Sequence, residues 1–390
     1  WEAGRCKQMD ILALVSLRDE FRKMKRGEPE LLRAAKGTFY ADGGAQVMRL
    51  DGSAGPVEQI PGAIVLDDLH RRGKVLQESR DAALLDLGDG VACLEFRGKM
   101  NTLGAGVIDG LRSALELVDS RGMAGLVIGN DDPRTFTAGA DLMMVGGMVQ
   151  KGAWQDLEQA IATFQQCSMS LRFAPFPVVI APFGLTLGGG CEFSLHADAI
   201  QAHAELYMGL VEVGVGLLPG GGGTKELLFR FAQALSSYEE ADPFEGVKRA
   251  FKLIAMATTS SSALEARKLG FLRDRDRITM NRDLLIADAK ARVLDLAPGY
   301  VAPAPQTITA TGAEGFGNLK YAAWAMREAG QITDFEVKLA HEVAYVLCGG
   351  DGPARVVTEQ DILDLERDAF LRLLGTKETQ ERITHMLKTG

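Results

Sequence analysis

The sequence predicts an α/β protein: a core with a largely parallel sheet, a small N-terminal segment before it and a helical C-terminal region after it. Residues 126–128 and 178–180 are short, continuous apolar runs rich in β-branched side chains, as buried strands are, and residues 154–173 between them have helical spacing. After Leu227 the apolar spacing is almost wholly helical. A length of 390 residues exceeds what one hydrophobic core usually organises, so two or three domains are expected.

The N-terminal segment changes character along its length. Residues 10–36 carry apolar side chains at helical spacing, which predicts a short helical pair. Residues 37–62 are rich in glycine and short polar stretches and contain Pro56 and Pro61, which predicts turns and a few weak strands. Because the chain begins with Trp1 rather than methionine, we expect it to be a piece of a longer polypeptide.

A hairpin is predicted to open the main domain. Residues 83–87 and 91–96 read as two strands, and Gly88-Asp89-Gly90 supplies a tight turn between them. The next segment has the 3.6-residue period of a helix, which we expect to be capped by Asn101 or Thr102 and to end at Gly122. Strands and helices then alternate, as they do in parallel α/β domains.

Charge and composition exclude several classes of function. The chain has 43 basic and 52 acidic residues and a net charge of -9, so no global basic field attracts nucleic acid. Its five cysteines are widely spaced with no C-x-x-C pair, which fits reduced thiols better than disulfides or a zinc site. No apolar run reaches the roughly 18 residues of a membrane span, and no signal-peptide pattern opens the chain. We therefore expect a cytoplasmic protein with no metal, no nucleic-acid partner and no membrane span.

Two glycine-rich runs are candidate sites. Three glycines at 188–190 follow a predicted strand and precede a predicted helix, so their N–H groups can donate to an oxygen that gains negative charge; a plain strand-to-helix turn is the alternative. The second run, residues 214–225, invites a nucleotide-binding interpretation. Both fingerprints fail there, because Pro219 stands where a dinucleotide loop needs its third glycine and Thr224 precedes rather than follows Lys225.

Two further segments are weaker when taken alone. Residues 136–142 follow a predicted strand and can present an exposed N–H at Ala140. Glu212 is a lone carboxylate in the apolar run 206–214, where a solvent-facing glutamate is the simpler explanation.

Together and in this order, these segments resemble the crotonase (enoyl-CoA hydratase/isomerase) superfamily over residues 82–272. The motifs that carry the resemblance are the A-G-x-D-L loop at 138–142, the G-G-G-x-E turn at 188–192, a second glutamate at Glu212, the P-G-x-G-G-T turn at 219–224 and a following helix at 262–270. The resemblance implies that residues 76–275 form a spiral of ββα units.

The resemblance also implies a chemistry, the addition of water across the double bond of trans-2-enoyl-CoA thioesters in fatty-acid β-oxidation. The N–H groups of Ala140 and Gly189 would stabilise the negative charge on the thioester oxygen. Glu192 is expected to hold and activate the water and Glu212 to deliver the proton to the α-carbon, although the sequence does not separate the two roles. Coenzyme A is then part of the substrate, and no metal or redox cofactor is expected.

Coenzyme A is a polyanion, which an acidic chain binds through a local basic cluster. By resemblance, the stretch 97–101 passes the nucleotide end of the cofactor, so Arg97 and Lys99 are candidate phosphate ligands. The resemblance adds Ala138 and Asp141 as candidate CoA-binding residues, and Arg134 precedes the same loop. Solvated surface charge is the alternative for the arginines.

Methionines follow the first of these loops at near-helical spacing. They are Met143, Met144 and Met148. Methionine adapts to varied apolar ligands, so these side chains are candidates for an acyl pocket, with ordinary core packing as the alternative.

Two regions depart from stand-alone crotonases, residues 1–75 and the helical region 276–390. Both resemble bacterial fused proteins in which a 3-hydroxyacyl-CoA dehydrogenase precedes a hydratase domain, and residues 344–350 and 357–360 are the part typical of that type. Residues 1–75 would then be a remnant of the dehydrogenase part and a linker, with a covalent fusion in the full-length protein. No dinucleotide fingerprint is present, so we expect no NAD binding here.

Other functions stay open at this point. A Δ3-Δ2-enoyl-CoA isomerase of the same superfamily can work with one carboxylate as proton shuttle, so possession of both Glu192 and Glu212 favours the hydratase. A non-catalytic CoA-binding or assembly module is the more distant alternative. Family relatives form trimers or pairs of trimers, which would allow a homo-oligomer here.

Overall fold

The computed structural model describes residues 14–35, 39–41, 46–49, 51–57, 60–236 and 242–389 of the chain. The strands are β1 (Tyr40–Ala41), β2 (Gln46–Met48), β3 (Ala54–Pro56), β4 (Val75–Glu78), β5 (Ala82–Gly88), β6 (Val91–Phe96), β7 (Gly125–Gly129), β8 (Thr135–Thr137), β9 (Val178–Ile180), β10 (Gly184–Leu187), β11 (Ala199–His203), β12 (Leu206–Gly209), β13 (Arg277–Thr279), β14 (Thr307–Ala310) and β15 (Arg355–Thr358). The helices are α1 (14–23), α2 (Glu30–Ala34), α3 (Leu66–Arg71), α4 (Ala105–Ser120), α5 (Leu142–Gln150), α6 (Trp154–Arg172), α7 (Gly189–His196), α8 (Gly223–Ser236), α9 (Pro243–Ala255), α10 (Ala263–Leu269), α11 (Leu285–Leu296), α12 (Gly312–Glu328), α13 (Asp334–Leu347), α14 (Glu359–Leu374) and α15 (Lys377–Thr389).

The N-terminal segment forms a small unit with its own apolar cluster. In its described part the predicted helical pair is confirmed as α1 and α2, and Leu14, Leu32 and Ala35 pack together between them. The predicted weak strands are present as β1, β2 and β3, which pair antiparallel. Residues 1–13, 36–38, 42–45, 50 and 58–59 lie outside the described part of the chain.

The main sheet has seven strands in the order β13-β11-β9-β7-β6-β5-β4. The predicted hairpin is confirmed, since β5 and β6 pair antiparallel through the turn at Gly88 and Gly90, both of which have positive φ. From β6 onward the neighbours β7, β9, β11 and β13 pair parallel, as the alternation of strands and helices predicts. The strands from β5 to β9 are almost wholly buried, which explains their continuous apolar sequence.

A second, smaller sheet makes the fold a spiral. Its parallel strands are ordered β12-β10-β8, and each follows a strand of the main sheet: β8 after β7, β10 after β9 and β12 after β11. Helices α5 and α6 follow β8, and α7 follows β10. The repeated unit is therefore strand, strand, helix, and the predicted crotonase-like spiral of ββα units is confirmed. The loops after β8 and β10 leave the small sheet side by side.

One predicted helix cap is wrong. Helix α4 begins at Ala105 with Gly104 at its N-cap position, so neither Asn101 nor Thr102 caps it. Asn101 instead lies in a 3₁₀ turn, and its side-chain amide donates to the carbonyl oxygen of Thr135 at 3.0 Å. A buried asparagine gains more from this bond than from an exposed cap, because an unsatisfied buried amide is costly. The C-terminal stop near Gly122, with φ +58°, is as predicted.

The C-terminal region is not wholly helical. Strand β13 joins the main sheet beside β11, and β14 and β15 form an antiparallel pair. Helix α11 packs on β7, β9 and β11, so residues just after 275 belong to the main layer. Helices α13 and α14 share one hydrophobic core with α8 and α9, in which Val343 and Ile362 are fully buried. The region thus covers the face of the spiral from which the loops of the small sheet emerge.

Four of the five cysteines lie in the described part of the chain. Cys93, Cys167, Cys191 and Cys348 are all buried free thiols, as the spacing predicts, and Cys6 lies outside the described ranges. None of the helices in residues 14–35, 60–236 and 242–389 is both long and apolar enough to cross a membrane.

Candidate active site

The turn between β10 and α7 is built around Gly188. This residue has φ 53° and ψ −123°, a conformation that side chains disfavour. Its N–H donates to the carbonyl oxygen of Gly209 at 3.0 Å, and its own carbonyl oxygen accepts from the N–H of Glu192 at 2.9 Å. A β-carbon at position 188 would lie 3.1 Å from Oε1 of Glu212. Glycine at this position therefore lets the turn and the Glu212 carboxyl approach each other.

The loop between β8 and α5 lies directly against this turn. Gly139 has φ +94°, and a β-carbon there would lie 3.3 Å from the backbone nitrogen of Gly189. Likewise, a β-carbon at Gly189 would lie 3.6 Å from the backbone nitrogen of Ala140. Among the described residues, neither Ala140 nor Gly189 donates its N–H to a protein acceptor. The structure thus brings two free amide donors together, as an oxyanion-binding site requires.

Glu192 lies in the first turn of α7 and is 3 % exposed. Its Oε1 accepts two backbone hydrogen bonds, from Gly221 at 2.7 Å and from Gly223 at 2.8 Å. Both donors belong to the glycine-rich turn that leads into α8. That turn, which fits no nucleotide fingerprint, therefore serves to hold a carboxylate.

Glu212 opens a 3₁₀ turn directly after β12. Its side chain is partly buried, and within the described part of the chain its Oε2 is buried without a hydrogen-bond partner. The interpretation of Glu212 as a solvent-facing glutamate is therefore wrong. The apolar run around it is explained by Leu210 and Val213, which are buried in the core and lie on either side of Glu212 in the sequence.

Burial perturbs both carboxyl groups in the same direction. It raises the pKa of Glu192 well above its ordinary value, and the negative charges of Glu212 and Glu366 add to this while the two amide donors oppose it. Burial also raises the pKa of Glu212 to about 8. Carboxyls that interact this strongly titrate as a pair, so their protons belong to the pair and not to one residue.

A third buried carboxylate, Glu366 of α14, was not predicted from the sequence. It is fully buried and accepts backbone hydrogen bonds from Gly222 at 2.6 Å and Thr224 at 2.9 Å. A signal exists in the sequence, because Ile362, Glu366 and Ala369 follow helical spacing and place a carboxylate on an apolar stripe. The pattern does not reveal which turn that stripe faces.

Behind Glu192 lies a buried ionic cluster that sequence reasoning also missed. Glu226 accepts from Lys225 at 2.9 Å and from Arg172 at 3.2 Å, and Arg172 also lies 3.1 Å from Glu359. These positive charges hold the pKa of Glu226 well below its usual range in spite of burial. Compact charge pairing of this kind keeps the base of α8 fixed.

His196 links this cluster to α7. Its Nδ1 lies 2.7 Å from the carbonyl oxygen of Glu192, and burial lowers the pKa of the imidazole to about 3. The ring is therefore neutral, and Nδ1–H donates to the helix.

The proposed CoA-binding residues occupy two neighbouring loops. Lys99 is exposed, and no ion-pair partner for it exists among the described residues. The carbonyl oxygen of the next residue, Met100, accepts from the N–H of Ala138 at 3.1 Å. The turn that carries Lys99 therefore touches the loop at 138–142, which contains the free N–H of Ala140 (the oxyanion loop). Arg97 instead contacts Glu78 and lies 3.8 Å from Glu95, so a phosphate would compete with two carboxylates there.

Asp141 has a structural contact that explains its place in the motif. Its Oδ1 caps α5 by accepting from the N–H of Met143 at 3.0 Å and of Met144 at 3.2 Å. Met143 is 73 % exposed, whereas Met148 packs against the core. The three methionines thus do not share one environment. Arg134 is exposed at the start of β8.

Metal binding has no support from the side chains in view. Within the described ranges, no group of three or more His, Cys, Asp or Glu side chains is arranged to hold a metal ion.

Comparison with known proteins agrees with this geometry. Residues 87–236 match the family model described as enoyl-CoA hydratase/isomerase. The chain is 37 % identical over 397 aligned residues to a probable 3-hydroxyacyl-CoA dehydrogenase of Bacillus subtilis, covering all of this chain but 49 % of that protein. It is 40 % identical over 133 residues to the fatty acid oxidation complex subunit alpha of Vibrio parahaemolyticus, covering 33 % of this chain and 18 % of that subunit. The chain spans about half of the length of the first relative and less of the second.

A solved structure supports the fold. The crystal structure of a carnitinyl-CoA dehydratase from Mycobacterium thermoresistibile is similar with a TM-score of 0.57 at 18 % identity, covering 79 % of this chain and 90 % of that one. At this identity the likeness concerns the fold alone. The match of residues 87–236 to the enoyl-CoA hydratase/isomerase family model lies within the crotonase-like spiral.

Proposed function

We propose that this chain is an enoyl-CoA hydratase that adds water across the double bond of trans-2-enoyl-CoA thioesters in fatty-acid β-oxidation. The observation that supports it is the closeness of two free amide donors, Ala140 and Gly189, to the buried Glu192 and the partly buried Glu212, whose Oε2 is shielded from solvent. The family match and the β-oxidation enzymes among the relatives support the same class of reaction.

The reaction places charge where the site has donors. Water attacks the β-carbon of the enoyl thioester, and the electron pair of the double bond moves toward the thioester oxygen. The N–H groups of Ala140 and Gly189 stabilise the enolate oxygen that results; losing one such donor typically costs about 10²–10³ in rate. The enolate then takes a proton at the α-carbon and becomes the 3-hydroxyacyl thioester.

Each carboxyl has an environment suited to one proton transfer. Glu192 accepts two amide hydrogens on Oε1, which favours the ionised form, so we assign it to accept the proton of the attacking water. Glu212 has a buried oxygen without a partner and a raised pKa, so we assign it to hold the proton that the α-carbon receives. Proton exchange between the two carboxyls or with solvent restores the starting state.

The substrate's CoA moiety would bind across the Lys99 and Ala138 loops. Lys99 is exposed next to the oxyanion loop and offers a positive charge to a phosphate. Ala138 and Asp141 shape the same loop, whereas Arg97 is already engaged by Glu78 and Glu95. No redox cofactor or metal takes part in this proposal.

The full-length protein is proposed to be a covalent fusion with a 3-hydroxyacyl-CoA dehydrogenase part. The support is the Bacillus subtilis relative, a probable 3-hydroxyacyl-CoA dehydrogenase, of which this chain spans about half. Such a partner would oxidise the hydroxyl group that hydration creates. A trimer-based assembly, cytoplasmic location and residues 1–75 as remnant and linker belong to the same proposal.

The test is a direct assay of the 390-residue chain. The purified protein is incubated with a short trans-2-enoyl-CoA while the absorbance of the conjugated thioester is followed. We expect turnover by the parent chain and a kcat lower by about 10²–10⁴ in Glu192→Gln and Glu212→Gln, because each removes one proton transfer. The exposed Glu205→Gln serves as matched control and retains the parent rate.

The alternatives give different results in the same experiment. Conversion of a 3-enoyl-CoA alone would replace the hydratase by the isomerase. Absence of turnover on either substrate, with CoA thioesters still bound, would leave the non-catalytic module. Unchanged rates in either carboxyl variant would overturn the site assignment.

A further inference from the structure

Five successive backbone N–H groups at the start of α8 are shared between two buried carboxylates. Gly221 and Gly223 donate to Oε1 of Glu192 at 2.7 and 2.8 Å. Gly222 donates to Oε1 of Glu366 at 2.6 Å, and Thr224 and Lys225 donate to its Oε2 at 2.9 and 3.4 Å. The donors alternate along the turn, so one carboxylate cannot move without moving the turn that holds the other.

Glu366 is bound to this turn and not to a counter-charge. Within the described part of the chain it forms no salt bridge, and its remaining partner is Gln165, whose amide donates to Oε1 at 3.3 Å. Gln165 is itself fixed, because it also donates to the carbonyl oxygen of Leu363 at 2.9 Å and accepts from Arg367 at 3.2 Å. Burying a carboxylate without a cation costs free energy, because the group loses its contacts with water. Here the hydrogen bonds from the turn and from Gln165 offset that cost.

The 221–225 turn does not by itself hold its N–H groups in the directions seen here. Gly222 has φ +99°, and a β-carbon at that position would lie 2.9 Å from Cε1 of His196. A β-carbon at Gly223 would lie 2.9 Å from Oε1 of Glu192. Glycines make the turn compact but also intrinsically flexible, so an external anchor is needed to keep the Gly221 and Gly223 amides aimed at Glu192.

We propose that Glu366 is a positioning residue for Glu192: it anchors the 221–225 turn, whose Gly221 and Gly223 amides hold Glu192, and it places a third buried carboxyl beside the Glu192–Glu212 pair. The inference rests on the proposed hydratase function for its kinetic consequence and on the geometry alone for its electrostatic one. It also gives the C-terminal region a part in the site, because α14 supplies the anchor.

The surroundings of the site determine what a change at Glu366 does. The charged and titratable groups packed around the three carboxyls are Arg172 on α6, Cys191 and His196 on α7, Lys225, Glu226 and Arg230 on α8, Glu359 and Arg367 on α14, and Arg382 on α15. Most of these groups belong to the buried ionic cluster around Glu226, and Arg367 belongs to the Gln165 contact. Arg382 donates to the carbonyl oxygen of Val213 at 3.4 Å. Burial raises the pKa of Glu366 itself to about 7, and when Glu366 is ionised its negative charge raises the pKa of both Glu192 and Glu212.

The experiment compares Glu366→Gln, Glu366→Asp and the exposed Asp368→Asn with the parent chain. Two readouts are used: the pH profile of hydration, and the carboxyl titration of Glu192 and Glu212 by ¹³C NMR in glutamate-labelled protein. Gln removes the charge, so the titration midpoints should fall by about one pH unit, as expected for a nearby charge. The kcat should fall about 10- to 100-fold, with KM changing less.

The other variants separate charge from position. Asp keeps the charge but is shorter by one methylene, so it should lower kcat while leaving the midpoints near those of the parent. Asp368→Asn should change neither readout. Unmoved midpoints in a folded Glu366→Gln, or a parent-like kcat, would overturn the proposal. If the parent chain itself did not hydrate enoyl-CoA, the proposed function would fail, while the NMR midpoints would still decide the role of Glu366.

Discussion

Glu212 shows how burial keeps a carboxyl protonated near neutral pH, as its proposed role of proton donor requires. Its Oε2 has lost water without gaining a protein partner among the described residues, and this desolvation raises its pKa to about 8. The same side chain in solvent would be ionised at neutral pH. The sequence indicated both Glu192 and Glu212 through their motif, because the motif preserves the spacing that brings them together.

The raised pKa predicts a pH-dependent cost to folding. Below the ordinary pKa near 4.5, the Glu212 carboxyl is protonated in both the folded and the unfolded chain. Its contribution to the free energy of unfolding is then fully present. As the pH rises from there through about 8, only the unfolded chain ionises freely, and the stability of the folded state falls. Glutamine imitates the protonated form, so Glu212→Gln should gain stability relative to the parent as the pH rises.

Thermal unfolding at pH 5 and pH 9 measures this effect. The difference in Tm between Glu212→Gln and the parent should be larger at pH 9, by at least about 2 °C for a domain of this size. The exposed Glu205→Gln is the control, and its Tm difference should not change with pH. Equal differences for Glu212→Gln at both pH values would contradict the burial argument.

At the scale of elements, two glycine-containing turns bring the free N–H groups of Ala140 and Gly189 together. The loop after β8 and the turn after β10 touch at Gly139, where a β-carbon would lie 3.0 Å from the carbonyl oxygen of Leu187 and 3.3 Å from the nitrogen of Gly189. The parallel pairing of β8 and β10 fixes the two elements, so only the turns can adjust. The closeness of the amides therefore depends on the absence of a side chain.

Gly139→Ala should therefore disturb catalysis more than folding. Its φ of +94° is unfavourable for alanine by about 1–3 kcal/mol, and the new methyl group would separate the Ala140 and Gly189 donors. We expect kcat/KM to fall about 10²–10³-fold, as for loss of an oxyanion donor.

Gly147→Ala is the matched substitution. It lies in the neighbouring helix α5, and a β-carbon there has no atom within 4 Å. It should keep the parent activity and stabilise the helix by about 0.5–1 kcal/mol. Parent-like activity in Gly139→Ala would show that the two donors do not act together.

The elements themselves were largely predictable, whereas their partners were not. Continuous apolar runs predicted β5, β6, β7 and β9, and helical spacing predicted α4 and α6, because a buried parallel sheet covered by helices imposes those patterns. Strand β8 was not predicted. The cap of α4 was misassigned, since Asn101 satisfies its amide on Thr135 across the fold. The pairing of β14 with β15 escaped notice because short, exposed strands carry almost no periodic signal.

At the scale of the whole molecule, the C-terminal region packs against the spiral and contributes Glu366 to the candidate site. Helices α13 and α14 bury their apolar faces in the same cluster as α8, and α14 delivers Glu366 to the turn that holds Glu192. Helical spacing predicts such faces from sequence, but which surface they cover follows from tertiary packing alone. The site is thus assembled from segments 174 positions apart, Glu192 and Glu366.

Net charge also has a meaning at this scale. A chain with a net charge of -9 repels a polyanion at long range, so CoA binding depends on a local exception such as the exposed Lys99 turn. This turn lies beside the oxyanion loop, through the hydrogen bond between Ala138 and Met100. The substrate's charged end and its reacting thioester would then be held by adjacent segments.

The proposed addition of water to trans-2-enoyl-CoA can be tested by following the oxygen atom of water into the product. The chain is incubated with trans-2-enoyl-CoA in H₂¹⁸O, and the product is analysed by mass spectrometry. We expect a 3-hydroxyacyl-CoA with one ¹⁸O at the β-hydroxyl, formed about 10²–10⁴ times more slowly by Glu192→Gln. A product without ¹⁸O, or equal incorporation rates for the parent and Glu192→Gln, would contradict it.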